Sequence, residues 1–278
     1  MKCPTRSHLR LLARFVVLGA LFSSIMPFLG CVGPQRCVPQ PAGLVGWWSA
    51  EGNARDRMGA HNGTLRGNVR FAPGKVGQAF NFSGWSGSVL VPDSPALRFT
   101  NAMTIEAWVC PAAYGQGYPG EIVSKWFGGA DQLSYTTSIN LLGKAYFLVS
   151  SDGRVSSPEV DHTVLCSIDT VPLNQWTHFA ATYDGALLKV YLNGVLEDQA
   201  TWSHGIFPGT APLVIGANYI HSVFNGLIDE PAVYNRALSA PEIQAICKAG
   251  SAGKCRGAPS VQAPPTMPGN APPKAPLH

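Results

Sequence analysis

The sequence predicts an all-β fold, a sandwich or barrel of short antiparallel strands closed by one short C-terminal helix. Three observations point there. Charged residues are only 13% of the 278, while 30 glycines and 23 prolines punctuate the chain, the balance of a turn-rich β protein rather than a helical bundle. Period-two alternation recurs through the middle of the chain, with turn signals between the runs. Helical spacing stands out at one place, near the end of the body.

The elements follow in order. In Thr104–Val109 alternation puts Ile105, Ala107 and Val109 on one face. Ala145–Ser150 is a second run, ended by Asp152-Gly153. Trp176–Tyr183 and Leu187–Leu192 are β-rich and joined by Asp184-Gly185-Ala186. Asn193-Gly194 then separates Leu187–Leu192 from Val195-Leu196, the strongest short hairpin signal a sequence offers. Leu213–Gly216 and Gly226–Tyr234 supply further strands, and Pro231 marks a bulge or an edge within the latter. Ser239-Ala240-Pro241-Glu242 is a capping box with Pro in the first turn, and Ile243 and Ile246 follow at helical spacing. Trp47, Trp108 and Trp176 lie in strand patterns and read as core.

Composition divides the chain into four segments. Residues 1–30 read as a signal peptide, with a basic region from Lys2 to Arg14 before the apolar stretch Phe15–Gly30. Ser23, Ser24 and Pro27 interrupt that stretch, which falls short of the about 20 apolar residues of a spanning helix. Phe28-Leu29-Gly30-Cys31 resembles a bacterial lipobox, in which the Cys is lipidated, but Phe28 and Leu29 depart from the usual Leu and small residue. Lipoprotein and free secretion both fit. Residues 31–42 form a spacer, 43–249 the body, and 250–278 a Pro- and Ala-rich tail too poor in large apolar side chains to order itself.

Charge excludes some partners. The formal net charge of +4 equals the four basic residues of the leader, Lys2, Arg6, Arg10 and Arg14, so the remainder is neutral. A neutral body gives no electrostatic case for nucleic acid, and a membrane enters only through a lipid anchor or an uncleaved leader. The cysteines suit an oxidising compartment, and no Cys-x-x-Cys motif points to zinc or thioredoxin-type redox chemistry.

Several segments in order resemble bacterial laminin-G-like (LamG-like, concanavalin A-like) domains. They are Gly43–Trp48, Glu51–Asp56, His61–Leu65, Gly74–Phe80, Val91–Ser94, Thr104–Val109, Leu173–His178, Tyr191–Gly194, Gly226–Glu230 and Tyr234–Ser239. The resemblance covers nearly the whole body and implies a two-sheet antiparallel jelly-roll sandwich. It implies less about function, because one fold hosts lectins, glycanases and adhesion modules. In such a sandwich the first and last strands lie side by side, which implies a disulfide between Cys37 and Cys255. Cys110 and Cys166 could bridge two strands, or be small buried thiols like Cys247.

The resemblance also implies candidate sites. Relatives often hold Ca²⁺ with an early Asp-containing loop and a late acidic strand, and Asp56, Asn62 and Asp229 stand at the matching positions here. The alternative makes Asp56 a turn-former through backbone hydrogen bonds. Tyr114, Tyr118, Trp126 and Phe127 lie in or beside the Gly-rich stretch 114–129, where exposed rings would stack on sugars and buried ones would join the core. A glycanase of related fold would carry Glu-x-Asp-x-(x)-Glu on one strand. Glu159-Val160-Asp161 begins that pattern but no second Glu follows, and Ile228-Asp229-Glu230 lacks the first. The expectation is an exported, non-catalytic module that binds a glycan or a surface protein, with or without Ca²⁺. The competing readings are an adhesive envelope domain and a degenerate glycoside hydrolase.

Overall fold

The computed structural model describes residues 36–115, 117–126, 131–154, 162–218 and 222–256. The signal peptide, Cys31, Phe127, the Glu159–Asp161 segment and most of the Pro-rich tail lie outside the described residues. In chain order the strands are β1 (Leu44–Trp47), β2 (Thr64–Arg66), β3 (Arg70–Pro73), β4 (Gln78–Ser83), β5 (Ser88–Val91), β6 (Met103–Pro111), β7 (Gly120–Lys125) and β8 (Tyr135–Ile139). There follow β9 (Lys144–Ser150), β10 (His162–Thr170), β11 (Thr177–Tyr183), β12 (Leu187–Leu192), β13 (Val195–Thr201), β14 (Leu213–Ile215) and β15 (Asn225–Tyr234). Among the described residues one α-helix, α1 (Ala240–Ala249), follows β15. Among the described residues no helix is long and apolar enough to cross a membrane.

The strands form two antiparallel sheets, as the resemblance implies. The first runs β13-β12-β11-β6-β15-β4-β3, with β1 also paired to β15; the second runs β10-β9-β8-β7-β14-β5-β2. Between them lies the core, fed by alternate residues of both sheets: Ile105, Ala107 and Val109 from β6, Phe179 and Ala181 from β11, Ile122 from β7, and Phe147 and Val149 from β9. Local signals place the turns. Asn193 (φ 49°) and Gly194 (φ 78°) both take left-handed backbone, as a two-residue hairpin between β12 and β13 requires. In β15 the register shifts between Asp229 and Ala232, where Pro231 stands and Glu230 is forced to φ 56°. The capping box forms: the Ser239 amide donates to Glu242 Oε2 at 2.8 Å. The paired Arg236 guanidinium, with the cap bonds, holds the Glu242 carboxyl down at about 2.

The outer face of the first sheet is closed rather than wet. α1 lays Ile243 and Ile246 on Trp47, Ala180, Tyr191, Ala232 and Tyr234. Packing continues past the body's expected limits, since Val38 bridges Lys254 and the Cys255 amide donates to the Val38 carbonyl at 2.7 Å. The expected disulfide between Cys37 and Cys255 is present, across a separation of 218 residues. It holds Lys254 beneath the cap, where its ammonium meets Glu106 Oε1 at 2.7 Å and Glu230 Oε2 at 3.5 Å. Glu106 Oε2 lies 3.3 Å from His178 Nε2, and Trp47 Nε1–H donates to Glu230 Oε2 at 3.0 Å. Burial pushes the Glu106 carboxyl up, but Lys254 and His178 reverse this and hold it below its ordinary range. Burial pulls Lys254 down, and Glu106 and Glu230 likewise reverse that.

The second bridge weighed from the sequence is not made: Cys110 is a free thiol. It sits on β6 in the middle of the first sheet, whereas Cys166 belongs to β10 at the edge of the second and is itself disulfide-bonded. Strand alternation could suggest that the two thiols face each other but could not assign them to different sheets.

Two stability outcomes follow. Replacing Lys254 by Met leaves Glu106 and Glu230 buried without their cation and should cost about 3–5 kcal/mol in urea unfolding, part of it recovered when Glu106→Leu is added. The pair Cys37→Ser and Cys255→Ser should cost about 2–5 kcal/mol, because the loop it opens is so long. Losses below about 1 kcal/mol in both would show that the clamp is peripheral.

Candidate functional site

The outer face of the second sheet carries a row of polar side chains. β7 pairs with β8 so that Glu121 lies opposite Ser138, and Ser124 opposite Thr136. Alternation turns Tyr135 and Ile139 into the core and leaves Thr136 and Ser138 on the far side. Both hydroxyls donate to Glu121 Oε2, Ser138 at 2.6 Å, and the Asn218 amide donates to Oε1 at 3.1 Å. Tyr146 on β9, opposite Ser138, continues the row. The carboxyl is 1% exposed. Burial pushes it up to about 7, against the lowering effect of the bonds from Ser138, Thr136 and Asn218. Below neutral pH it is therefore an uncharged group that both donates and accepts. The Ser124 hydroxyl is buried and has no hydrogen-bond partner.

An apolar shelf adjoins the row. Leu133, Tyr146, Leu148 and Cys166 form a small cluster of their own, on which Trp126 and Val164 pack. Thr136, Ser138, Tyr146, Leu133 and Leu148 are buried like Glu121, and only Asn218 and Trp126 are half-buried, so the row is a covered polar layer; its hydroxyls, amide and carboxyl have the chemistry to hydrogen-bond an uncharged polyol that reached them.

The residues expected from the sequence distribute unevenly around this face. The stretch 114–129 is not one loop, since β7 crosses it, Ile122 and Val123 having the β propensity to continue the sheet. Tyr114 is half-buried, donates its hydroxyl to the Val171 carbonyl at 2.7 Å and packs on the core. Tyr118 is 52% exposed on the loop before β7, and Trp126 joins the apolar shelf. Phe127 lies outside the described residues.

The three residues named for calcium each accept hydrogen bonds from backbone amides. Each Asp56 oxygen already accepts two backbone amides, Oδ1 from Trp47 and Met58, and Oδ2 from Ala60 and His61, at 2.9–3.1 Å. Asn62 Oδ1 accepts from the Asp56 amide at 3.1 Å. Four N–H dipoles aimed at one carboxylate do the neutralising that a cation would do, and they fit the turn-forming alternative. Asp229 Oδ2 accepts from the Val76 amide at 2.8 Å, and burial, opposed by that bond, pushes the carboxyl up to about 8. Among the described residues no group of three or more His, Cys, Asp or Glu is arranged to hold a metal ion.

The sequence reading missed Glu121, Thr136, Ser138 and Asn218. A signal was available in a Glu opening an apolar strand and in hydroxyls two apart on another. Their meeting depends on cross-strand register, which neither strand encodes alone.

Comparison with known proteins agrees with this architecture. A family model described as the concanavalin A-like lectin/glucanases superfamily matches residues 82–244, more than half of the chain. Domain 4 of AbnA, a GH43 extracellular arabinanase from Geobacillus stearothermophilus solved in complex with arabinotriose, is similar in structure. Its TM-score is 0.59 at 24% identity, over 74% of this chain and 98% of that one. The binding domain of Paraclostridial Mosquitocidal Protein 1 gives a TM-score of 0.58 at 16% identity, over 74% of this chain and 52% of that one. The botulinum neurotoxin serotype G binding domain gives 0.56 at 13% identity, over 73% and 50%. This chain thus spans about half the length of those toxin domains. No curated protein sequence matches it significantly. Two sheets in this order, an inner core shared between them and the match over 82–244 place the chain in the concanavalin A-like lectin/glucanase superfamily, to which it belongs.

Proposed function

We propose that this chain is an exported, non-catalytic binding module that recognises carbohydrate on the outer face of its second sheet. One observation carries the reading. The carboxyl at the centre of that face, Glu121, is bonded to two hydroxyls and an amide and to no second carboxylate among the described residues. Glycoside hydrolysis uses two carboxyl groups, about 5–5.5 Å apart for retention or about 6.5–9.5 Å for inversion, one of them charged. A lone carboxyl pushed up to about 7 among hydroxyls instead suits hydrogen bonding to sugar hydroxyls. In this reading a sugar hydroxyl takes the place of the Asn218 amide, the longest of the three contacts to Glu121, and a ring face rests on the shelf that Trp126 joins. The arabinotriose complex of the similar arabinanase domain supports carbohydrate as the ligand class. Export is supported by the Cys37–Cys255 disulfide, which an oxidising compartment preserves.

Affinity electrophoresis against a polysaccharide panel that includes arabinan tests this proposal. The chain should be retarded by at least one neutral polysaccharide, and Ser138→Ala and Glu121→Leu should weaken retardation by about tenfold, the loss of roughly one buried hydrogen bond. Release of reducing sugar that Glu121→Gln abolishes would make the chain a hydrolase instead.

Glu121 also sets a pH dependence. Its folded value of about 7 lies above the ordinary 4.5, so between these values the folded state binds more protons than the unfolded one. The group's contribution is therefore greatest below pH 4.5 and is lost as the pH rises to 7. Unfolding free energies of the chain and of Glu121→Gln, measured from pH 4.5 to 7.5, should diverge by about 3 kcal/mol over this interval, the variant being the less pH-sensitive. Parallel curves would place a charged carboxylate in the folded chain.

A further inference from the structure

Of the ten exposed large apolar side chains among the described residues, five gather on turns and loops at one end, the others being Met58, Leu65, Ile168, Val195 and Leu196. Trp85 (73% exposed), Tyr118, Leu141, Leu142 (74%) and Leu173 all stand on turns or loops at one end of the sandwich, where β4, β6 and β8 finish. Register fixes that these turns share an end. Ser83 pairs with Asn225, whose neighbour Gly226 pairs with Pro111. Gly120 pairs with Ile139, and the Asn174 amide donates to the Pro111 carbonyl. The opposite end, from the turn after β5 to the turn after β11, shows no exposed large apolar side chain among the described residues.

Basic side chains stand beside these apolar turns. Arg66 and Arg70 flank the β2–β3 turn, whose Gly67 lies against Gly87 in the Trp85 turn, and Lys144 follows Leu142. The carboxylate on these turns is Asp169, beside which Glu197 accepts the Asp169 amide. At the opposite end stand Asp93, Asp131, Asp152 and Asp184, of which Asp93 pairs with Arg98 and Lys125, Asp131 with Arg154 and Asp184 with Lys189.

We infer that the loop end bearing Trp85 and Leu142 docks this protein onto an anionic lipid surface. Single exposed apolar residues are ordinary, but apolar tips gathered at one end with basic neighbours need a partner that is apolar within and negative at its rim. A bilayer interface has that composition, and Trp is suited to its boundary. The spread of the tips favours a plane over a groove, because the turns of Trp85 and Leu142 stand three strand spacings apart in the second sheet, about 15 Å. This surface is independent of the polar row around Glu121.

Co-sedimentation of the full chain with vesicles of phosphatidylcholine and phosphatidylglycerol tests the inference. The chain should pellet with these vesicles, and less with phosphatidylcholine alone. The double variant Trp85→Ser, Leu142→Ser should bind at least about tenfold more weakly with an unchanged melting temperature, since neither side chain contributes to the core. Equal pelleting of variant and parent would overturn the inference by assigning attachment to another part of the chain. So would a parent that stays in the supernatant, or one that pellets without vesicles, which would mean that a second copy covers this end.

Discussion

The contact between Lys254 and Glu106 organises one whole side of this molecule. A buried carboxylate in the middle of a sheet is tolerable only with a cation close by, and here the cation arrives from a residue 148 positions away. Lys254 can reach it because the segments flanking the sandwich are bound to each other, by the Cys37–Cys255 bridge and by the backbone bonds of Val38. With the ends fixed, α1 covers the rest of the face. The β-bulge at Pro231 belongs to the same arrangement, since it brings Glu230 alongside the ammonium.

A consequence is that the two outer faces of the sandwich have different fates. The first is covered by α1 and by the flanking segments that carry Cys37, Val38, Lys254 and Cys255. The recognition proposed above falls to the second sheet, on which no α-helix lies among the described residues, and to the loop end. On that second sheet Glu121 is buried as deeply as Glu106, but hydroxyls and an amide surround it in place of a lysine. The two carboxyls consequently move in opposite directions from their ordinary range, Glu106 down and Glu121 up. One is a structural charge. The other is a neutral hydrogen-bonding group.

What could be read from the sequence was what local chemistry dictates. Asn193-Gly194 requires left-handed backbone at both positions and so specifies its hairpin; Pro231 lacks an amide proton and so marks its bulge; Ser239 and Glu242 cap a helix by themselves. The Cys37–Cys255 pairing was accessible through family resemblance. Relationships between distant strands were not. Nothing in Thr104–Val109 shows that Glu106 on the polar side of the alternation is buried, because the cover comes from the far end of the chain. Asp56 could be read as a calcium ligand or a turn-former, and the four amides it accepts are set in direction only by the folded loop. The polar row needed the β7–β8 register, and the apolar loop end needed the meeting of turns from both sheets.

Hydrogen–deuterium exchange with and without a retained polysaccharide tests the central division of labour most directly. If the second sheet is the recognition face and the first is closed by the termini, added glycan should slow exchange in Gly120–Lys125 and Tyr135–Ile139 while leaving Ala240–Ala249 and residues 250–256 unchanged. Protection concentrated in α1 and the segment around Lys254 would contradict the account, because it would place the ligand on the face that the protein is held to seal.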